Sequence, residues 1–304
     1  MKDHTDYYQI DDLLTADHLI IRDSVRTFVR TEIVPIIDEC AQNHVEVPGL
    51  MKKLGSLGLL GPFIPVEYGG AGMDYISYGL IMQELEFGDS AIRSAASVQS
   101  SLVMFPIWMY GSEAQKKKYL PLLASGHMIG SFGLTEANHG SDPGSMETSL
   151  TAEGDDYRLN GAKMWITNSP MCDVAVVWAK TEDGKIKGVL VEREDIGFST
   201  PEIHNKWSLR ASKTGELVFD NVFIPANRVL PDVSSMRGPL SCLNSARFGI
   251  SWGVIGAAID CYQTALNYAL ARKQFGKPIA GFQLQQKKLA EMLTAKLGDM
   301  DFIG

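Results

Sequence analysis

The chain has 304 residues, of which 45% are hydrophobic and 21% charged. That is enough apolar material for a sizeable core, and at this length two or three domains are expected, because single cores stop growing near ~250–300 residues. A net charge of −8 argues against a nucleic-acid partner. The scattered Cys40, Cys172, Cys242 and Cys261, with six histidines in no ligand spacing, give no disulfide framework and no metal site.

Residues 1–12 are polar and acidic, and no apolar run reaches the ~20 residues of a membrane span. The reading is of a cytoplasmic chain in a reducing compartment, with no membrane association. From Leu13 to Ala124 the apolar spacing is mostly helical, with Ile21, Val25, Phe28 and Val29 on one stripe and Tyr78, Ile81, Met82 and Leu85 on another. Gly61 to Gly72 is too rich in glycine and proline for a helix and reads as a connecting loop. From Met128 to about Val233 the period turns strand-like, in Ile129–Phe132, Tyr157–Leu159, Val174–Ala179, Gly188–Val191 and Glu216–Ile224, the pattern of a compact all-β unit. After Gly238 and Pro239 the period is helical again. Leu243 to Ala271 reads as one long helix stopped by Gly276 and Pro278, and Gln283 to Leu297 as a second. The fold class is therefore α+β and multidomain, with divisions at 1–127 (helical), 128–235 (β) and 236–304 (helical).

Two linked stretches stand out. Phe132-Gly133-Leu134-Thr135-Glu136-Ala137-Asn138-His139-Gly140-Ser141-Asp142 combines glycines, which permit close backbone approach, with short polar side chains that can hydrogen-bond a ligand edge. Lys163-Met164-Trp165-Ile166-Thr167-Asn168 is strand-like, so Trp165 and Thr167, two apart, would share a face and offer a ring and a hydroxyl to a flat aromatic cofactor. A third stretch, Arg93 to Ser101, follows Asp89-Ser90 as an N-cap. Arg93 and Ser97, at i and i+4, then share a helix face flanked by small apolar residues, the makings of a carboxylate receptor.

These motifs resemble the acyl-CoA dehydrogenase family, and within it the glutaryl-CoA dehydrogenases, over about Leu14 to Leu297. The resemblance implies an N-terminal helical domain, a middle β-barrel-like domain and a C-terminal helical bundle of which the first two helices are present. It implies FAD as cofactor, held by Phe132, Gly133, Leu134, Thr135, Ser141, Trp165, Ile166 and Thr167. Arg272, Phe275 and Gln283, in the motif Arg272-Lys273-Gln274-Phe275-Gly276-Lys277-Pro278 and just after it, would reach the FAD of a neighbouring subunit, which implies a homo-oligomer, expected to be a tetramer.

By the same resemblance an acyl-CoA substrate would meet Arg93, Ser94 and Ser97 at the distal carboxylate of its acyl chain, Ser141, and Leu240, Leu243, Asn244 and Arg247 along the channel. The implied reaction is α,β-dehydrogenation of glutaryl-CoA to glutaconyl-CoA, with crotonyl-CoA and CO2 following if the dienolate is decarboxylated, and with an electron-transfer flavoprotein as acceptor. Some relatives carry their catalytic Glu just before the arginine matching Arg247. Ala246 stands there in this chain, so no catalytic residue is assigned and the base is expected in a C-terminal segment beyond this sequence. Two other readings stay open: an inactive, truncated FAD- and acyl-CoA-binding or assembly module, and an acyl-CoA oxidase-type flavoenzyme on the same scaffold.

Overall fold

The computed structural model describes residues 9–300, with side chains to 295. These fall into two compact units, one drawn from residues 9–35, 76–93 and 249–300, the other from 36–75 and 94–248.

In the first unit, helix α1 (Ala16–Phe28) starts with a reciprocal cap in which Thr15 accepts from His18 N and the His18 ring accepts from Thr15 N. Two partners are satisfied at once, which explains why the helix begins there. The helices along the middle of the sequence are α2 (Val34–Asn43), α3 (Leu50–Ser56), α4 (Tyr75–Gly88), α5 (Ser90–Ser97), α6 (Phe105–Tyr110) and α7 (Glu113–Ala124). Asp89 caps α5 by accepting from Ala91 N at 2.7 Å, as the sequence suggested. Arg26 of α1 grips Glu84 of α4 through Nε at 3.0 Å and Nη2 at 2.7 Å. This two-pronged pairing compensates the burial of a carboxylate.

The long helix is α8 (Arg237–Ala271), six residues longer at its start than the apolar period indicated, and α9 is Gln283–Met300. The approach of α8 to α4 within this unit depends on Gly256, where a Cβ would stand 2.0 Å from Gln83 O. The long helix stops where the sequence placed its end, and Gly276 and Pro278 beyond it belong to a small hairpin. The helix ends at Ala271, and Lys273–Gln274 pairs antiparallel with Lys277–Pro278 around Phe275 and Gly276, both at positive φ, the turn that matches strand twist.

The second unit is built on a seven-stranded sheet: β1 (Gly130–Gly133), β2 (Ser149–Glu153), β3 (Asp156–Thr167), β4 (Val174–Thr181), β5 (Ile186–Glu192), β6 (Phe198–Ser199) and β7 (Thr214–Ile224). The order is β1-β4-β2-β3-β7-β6, with β5 on β4. Its core joins Leu159, Ile166, Val177, Val189, Val191, Leu217 and Val222. The short β2 and β6 have no counterpart in the sequence reading, and β3 is one strand of 12 residues that joins what had read as separate strand pieces at Tyr157–Leu159 and around Lys163–Thr167. Among the described residues no helix is long and apolar enough to cross a membrane.

β1 is fastened at its first residue. Gln99, fully buried in the π-helical turn Val98–Met104, donates to Leu123 O at 2.9 Å and Met128 O at 2.8 Å and accepts from Gly130 N at 2.8 Å. One amide thus satisfies three backbone groups that burial would otherwise strand.

Candidate functional site

The structure brings the two linked stretches together. β1 leads into Leu134 and Thr135, and Met164 N of β3 donates to Thr135 O at 2.9 Å. Where β3 pairs with β7 the register shifts between Lys163 and Ile166, and Trp165 sits at φ 61°. Simple strand alternation was the expected reason for Trp165 and Thr167 to share a face; the structure instead presents Trp165 on a bulge, in a conformation costly for a residue with a Cβ. The indole is 58% exposed, whereas Ile166 beside it is buried.

The eight residues assigned to the cofactor from the first two stretches do not all offer side chains. Phe132, Leu134 and Ile166 are buried, and Phe132 packs edge-on against Trp178, centroids 6.4 Å apart, so these three and Gly133 present backbone only. Thr135 and Thr167 are half-buried, Trp165 and Ser141 exposed. An uncovered indole held in a strained bulge next to two reachable hydroxyls suits a flat aromatic ring with a polar edge. In the first unit Arg272 and Gln283 are exposed and Phe275 is 93% exposed.

Beneath the bulge lies a pair the sequence reading passed over. Lys163 has 0% and Glu136 7% side-chain exposure, and Lys163 Nζ donates to Glu136 Oε1 at 2.8 Å and to Leu134 O at 3.2 Å. Glu136 also accepts from Glu147 N at 2.7 Å and Thr148 N at 2.9 Å. Burial pushes its carboxyl up, but the Glu147 amide, Lys163 and Thr148 together outweigh that and hold it at about 2. Burial lowers Lys163 to about 8 against the pull of Glu136. Glu136, His139 and Glu147 place ligand-type atoms within 4.8 Å of one another, but Glu136 is already committed to Lys163 and two amides. A charge within an aromatic strand motif carries no periodic signal; only the unusual lysine between Ala162 and Met164 could have flagged it.

Among the substrate-assigned residues, Arg93 is 9% exposed, so the reading of a packed arginine face holds. Its Nε donates to Glu86, which also accepts from Ser90 Oγ, and no other hydrogen bond from its guanidinium is found among the described residues. That pairing was not foreseen. Ser94 is half-buried and Ser97 buried on the same helix α5. On α8, Leu240, Asn244 and Arg247 are exposed and Leu243 half-buried, and Arg247 Nη1 donates to Asn244 Oδ1 at 2.7 Å.

A β sheet with an exposed aromatic bulge, preceded and followed in sequence by helical segments, offers a place for a flat ring. The comparisons with known proteins specify the family. Models of the acyl-CoA dehydrogenase N-terminal, middle and C-terminal domains match residues 15–127, 131–222 and 236–296. The chain belongs to the acyl-CoA dehydrogenase family. A glutaryl-CoA dehydrogenase from Mycobacterium smegmatis, solved in complex with FADH2, is similar with a TM-score of 0.94 and 48% identity, over 96% of this chain and 75% of that one. The glutaryl-CoA dehydrogenase of Desulfococcus multivorans is 36% identical over 92% of this chain and 74% of its own length. The human mitochondrial short-chain specific acyl-CoA dehydrogenase is 35% identical over 96% and 72%. The last two, named for different acyl groups, thus stand at nearly the same identity to this chain.

Proposed function

We propose that the chain acts in the FAD-dependent α,β-dehydrogenation of an acyl-CoA thioester, with glutaryl-CoA as substrate. FAD is the cofactor, and when bound it supplies the acceptor for the hydride leaving the β carbon. Trp165 would cover the ring, the Thr135 and Thr167 hydroxyls and the backbone of residues 132–134 and 166 would meet its polar edge, and Ser141 the phosphates. Arg272, Phe275 and Gln283 would reach the FAD of a second copy, which makes a homo-oligomer, by family likeness a tetramer, part of the proposal. No described carboxylate is assigned the α-proton. Electrons would pass to an electron-transfer flavoprotein, and the compartment is proposed to be the cytoplasm.

The observation that carries the substrate is Arg93. It is buried, one N–H is spent on Glu86, and the remaining donors of its planar fork suit a second carboxylate at the far end of an acyl chain. Leu240, Leu243, Asn244, Arg247, Ser94 and Ser97 would line the rest of the substrate's path. A monocarboxylic chain would leave those donors unmatched, which is how a polar site rejects it.

The test is R93M combined with E86Q, which avoids leaving a buried carboxylate alone, in the FAD-loaded protein. Loss of charge-assisted hydrogen bonds worth about 3 kcal/mol should raise the Kd for glutaryl-CoA roughly a hundredfold and leave that for butyryl-CoA within about threefold. Equal losses on both would make Arg93 a structural residue and remove the dicarboxylic assignment.

A further inference from the structure

We infer that Lys163 and Glu136 are a positioning pair for the cofactor, fixing the presentation of Trp165 and Thr135. This rests on the reading that FAD lies on those residues.

The pair occupies the junction of the two motif stretches. Lys163 is the residue at which the β3–β7 register breaks, immediately before Met164, whose amide holds Thr135 O, and Trp165, which adopts φ 61°. Its ammonium reaches across to Leu134 O and Glu136, the residues on either side of Thr135. Glu136 in turn fastens the amides of Glu147 and Thr148 at the entry to β2. Three backbone groups on two segments, Leu134 O and the amides of Glu147 and Thr148, therefore converge on two side chains, with Thr135 next to Glu136 and Trp165 two residues from Lys163 in sequence.

Gly133 shows that the chain accommodates this arrangement. A Cβ at that position would lie 3.1 Å from Lys163 Cγ and 2.9 Å from Leu217 Cδ1. The glycine in Phe132-Gly133-Leu134 thus leaves room for the lysine stem beneath β1, a packing reason for a residue that the sequence alone suggests is there for the ligand.

A buried ion pair is a poor device for stability, since well-packed apolar residues of similar volume commonly do as well or better. A lysine and a glutamate in the interior of the β unit are accounted for by directionality. Two oxygen acceptors at one ammonium, and three donors around one carboxylate, specify where the surrounding backbone must lie. Apolar contacts would fill the same volume without that specification. The Lys163 side chain is itself fully buried, so it acts through Leu134, Thr135 and Trp165 as a positioning residue.

The experiment compares the wild-type chain with K163M, E136Q and the double variant K163M/E136Q, each reconstituted with FAD. Three things are read: the urea midpoint, the FAD dissociation constant, and the position and shape of the bound flavin's visible bands. The single variants strand a buried charge and are expected to lower the midpoint. The double variant should regain part of the midpoint that the single variants lose, one backbone amide still lacking its carboxylate oxygen, while its FAD dissociation constant rises at least tenfold and its visible bands shift toward those of free FAD. A double variant that folds and binds FAD with wild-type affinity and spectrum overturns the assignment, as does one that fails to fold, which would make the pair a folding requirement. Wild-type protein that binds no FAD would instead remove the cofactor reading on which the inference rests, so the two failures are distinguishable.

Discussion

Replacing Gln99 by leucine tests whether the strand that leads to the site is held from its first residue. The side chain is fully buried and makes three hydrogen bonds, to Leu123 O, Met128 O and Gly130 N. In Q99L the Gly130 amide and the Met128 carbonyl lose this partner, while Leu123 O keeps the bond from Gly126 N at 3.1 Å. An unsatisfied buried polar group costs about 1–3 kcal/mol. Two such groups cost about 2–6 kcal/mol, and the gain from burying an apolar side chain of similar size reduces that to a loss of about 2–3 kcal/mol. Urea unfolding of the FAD-loaded protein, followed by tryptophan fluorescence, should show the midpoint falling with little change in slope. A leucine variant within about 1 kcal/mol of wild type would refute the idea that Gln99 braces β1. Q99E makes a useful companion: its carboxylate can still accept from Gly130 N but faces two carbonyl oxygens, so it should be destabilised at pH 7 and partly restored by acid.

Two further outcomes follow from the site. Glu136 is held at about 2, below its ordinary 4.5, so its contribution is present above pH 4.5 and lost as pH falls through 2. That difference is about 3 kcal/mol at ~1.4 per unit, and E136Q should flatten the acid limb of the stability profile by that order; an unchanged limb would mean that the carboxylate is not held low. W165A removes an exposed ring and should leave the unfolding midpoint nearly unchanged. Its FAD dissociation constant should rise roughly tenfold, since aromatic stacking contributes about 0.5–1.5 kcal/mol beyond area; retained affinity would place the cofactor elsewhere.

Much of the scaffold is legible in the sequence because it follows period and capping. The apolar run Val174-Ala175-Val176-Val177 becomes a strand buried along its length, the Asp89 cap starts α5, and the long apolar period after Pro239 becomes α8. What escapes has a tertiary origin. Ser149–Glu153 has one fully buried residue in five and is a strand only because β3 and β4 flank it. The left-handed Trp165 is imposed by the bulge against β7 and by the Met164–Thr135 hydrogen bond, neither of which its neighbours in sequence announce. Lys163 and Glu136 look like surface charges until the fold brings them 2.8 Å apart. The hairpin at Phe275-Gly276 was within reach, because a glycine at the second turn position between short polar arms is a hairpin signal; the preceding helix drew attention to its stop instead. In the candidate site, the two stretches chosen for the cofactor do come together, yet Phe132, Leu134 and Ile166 turn inward because β1 and β3 belong to the core of the sheet.

The most direct test of the account is the flavin content of the purified chain supplied with FAD. The account predicts a yellow protein with about one FAD per chain, flavin fluorescence quenched by the adjacent Trp165, and visible bands that shift when glutaryl-CoA is added and shift less with butyryl-CoA. A colourless protein, one carrying only a nicotinamide, or a bound flavin whose spectrum ignores both thioesters would contradict it.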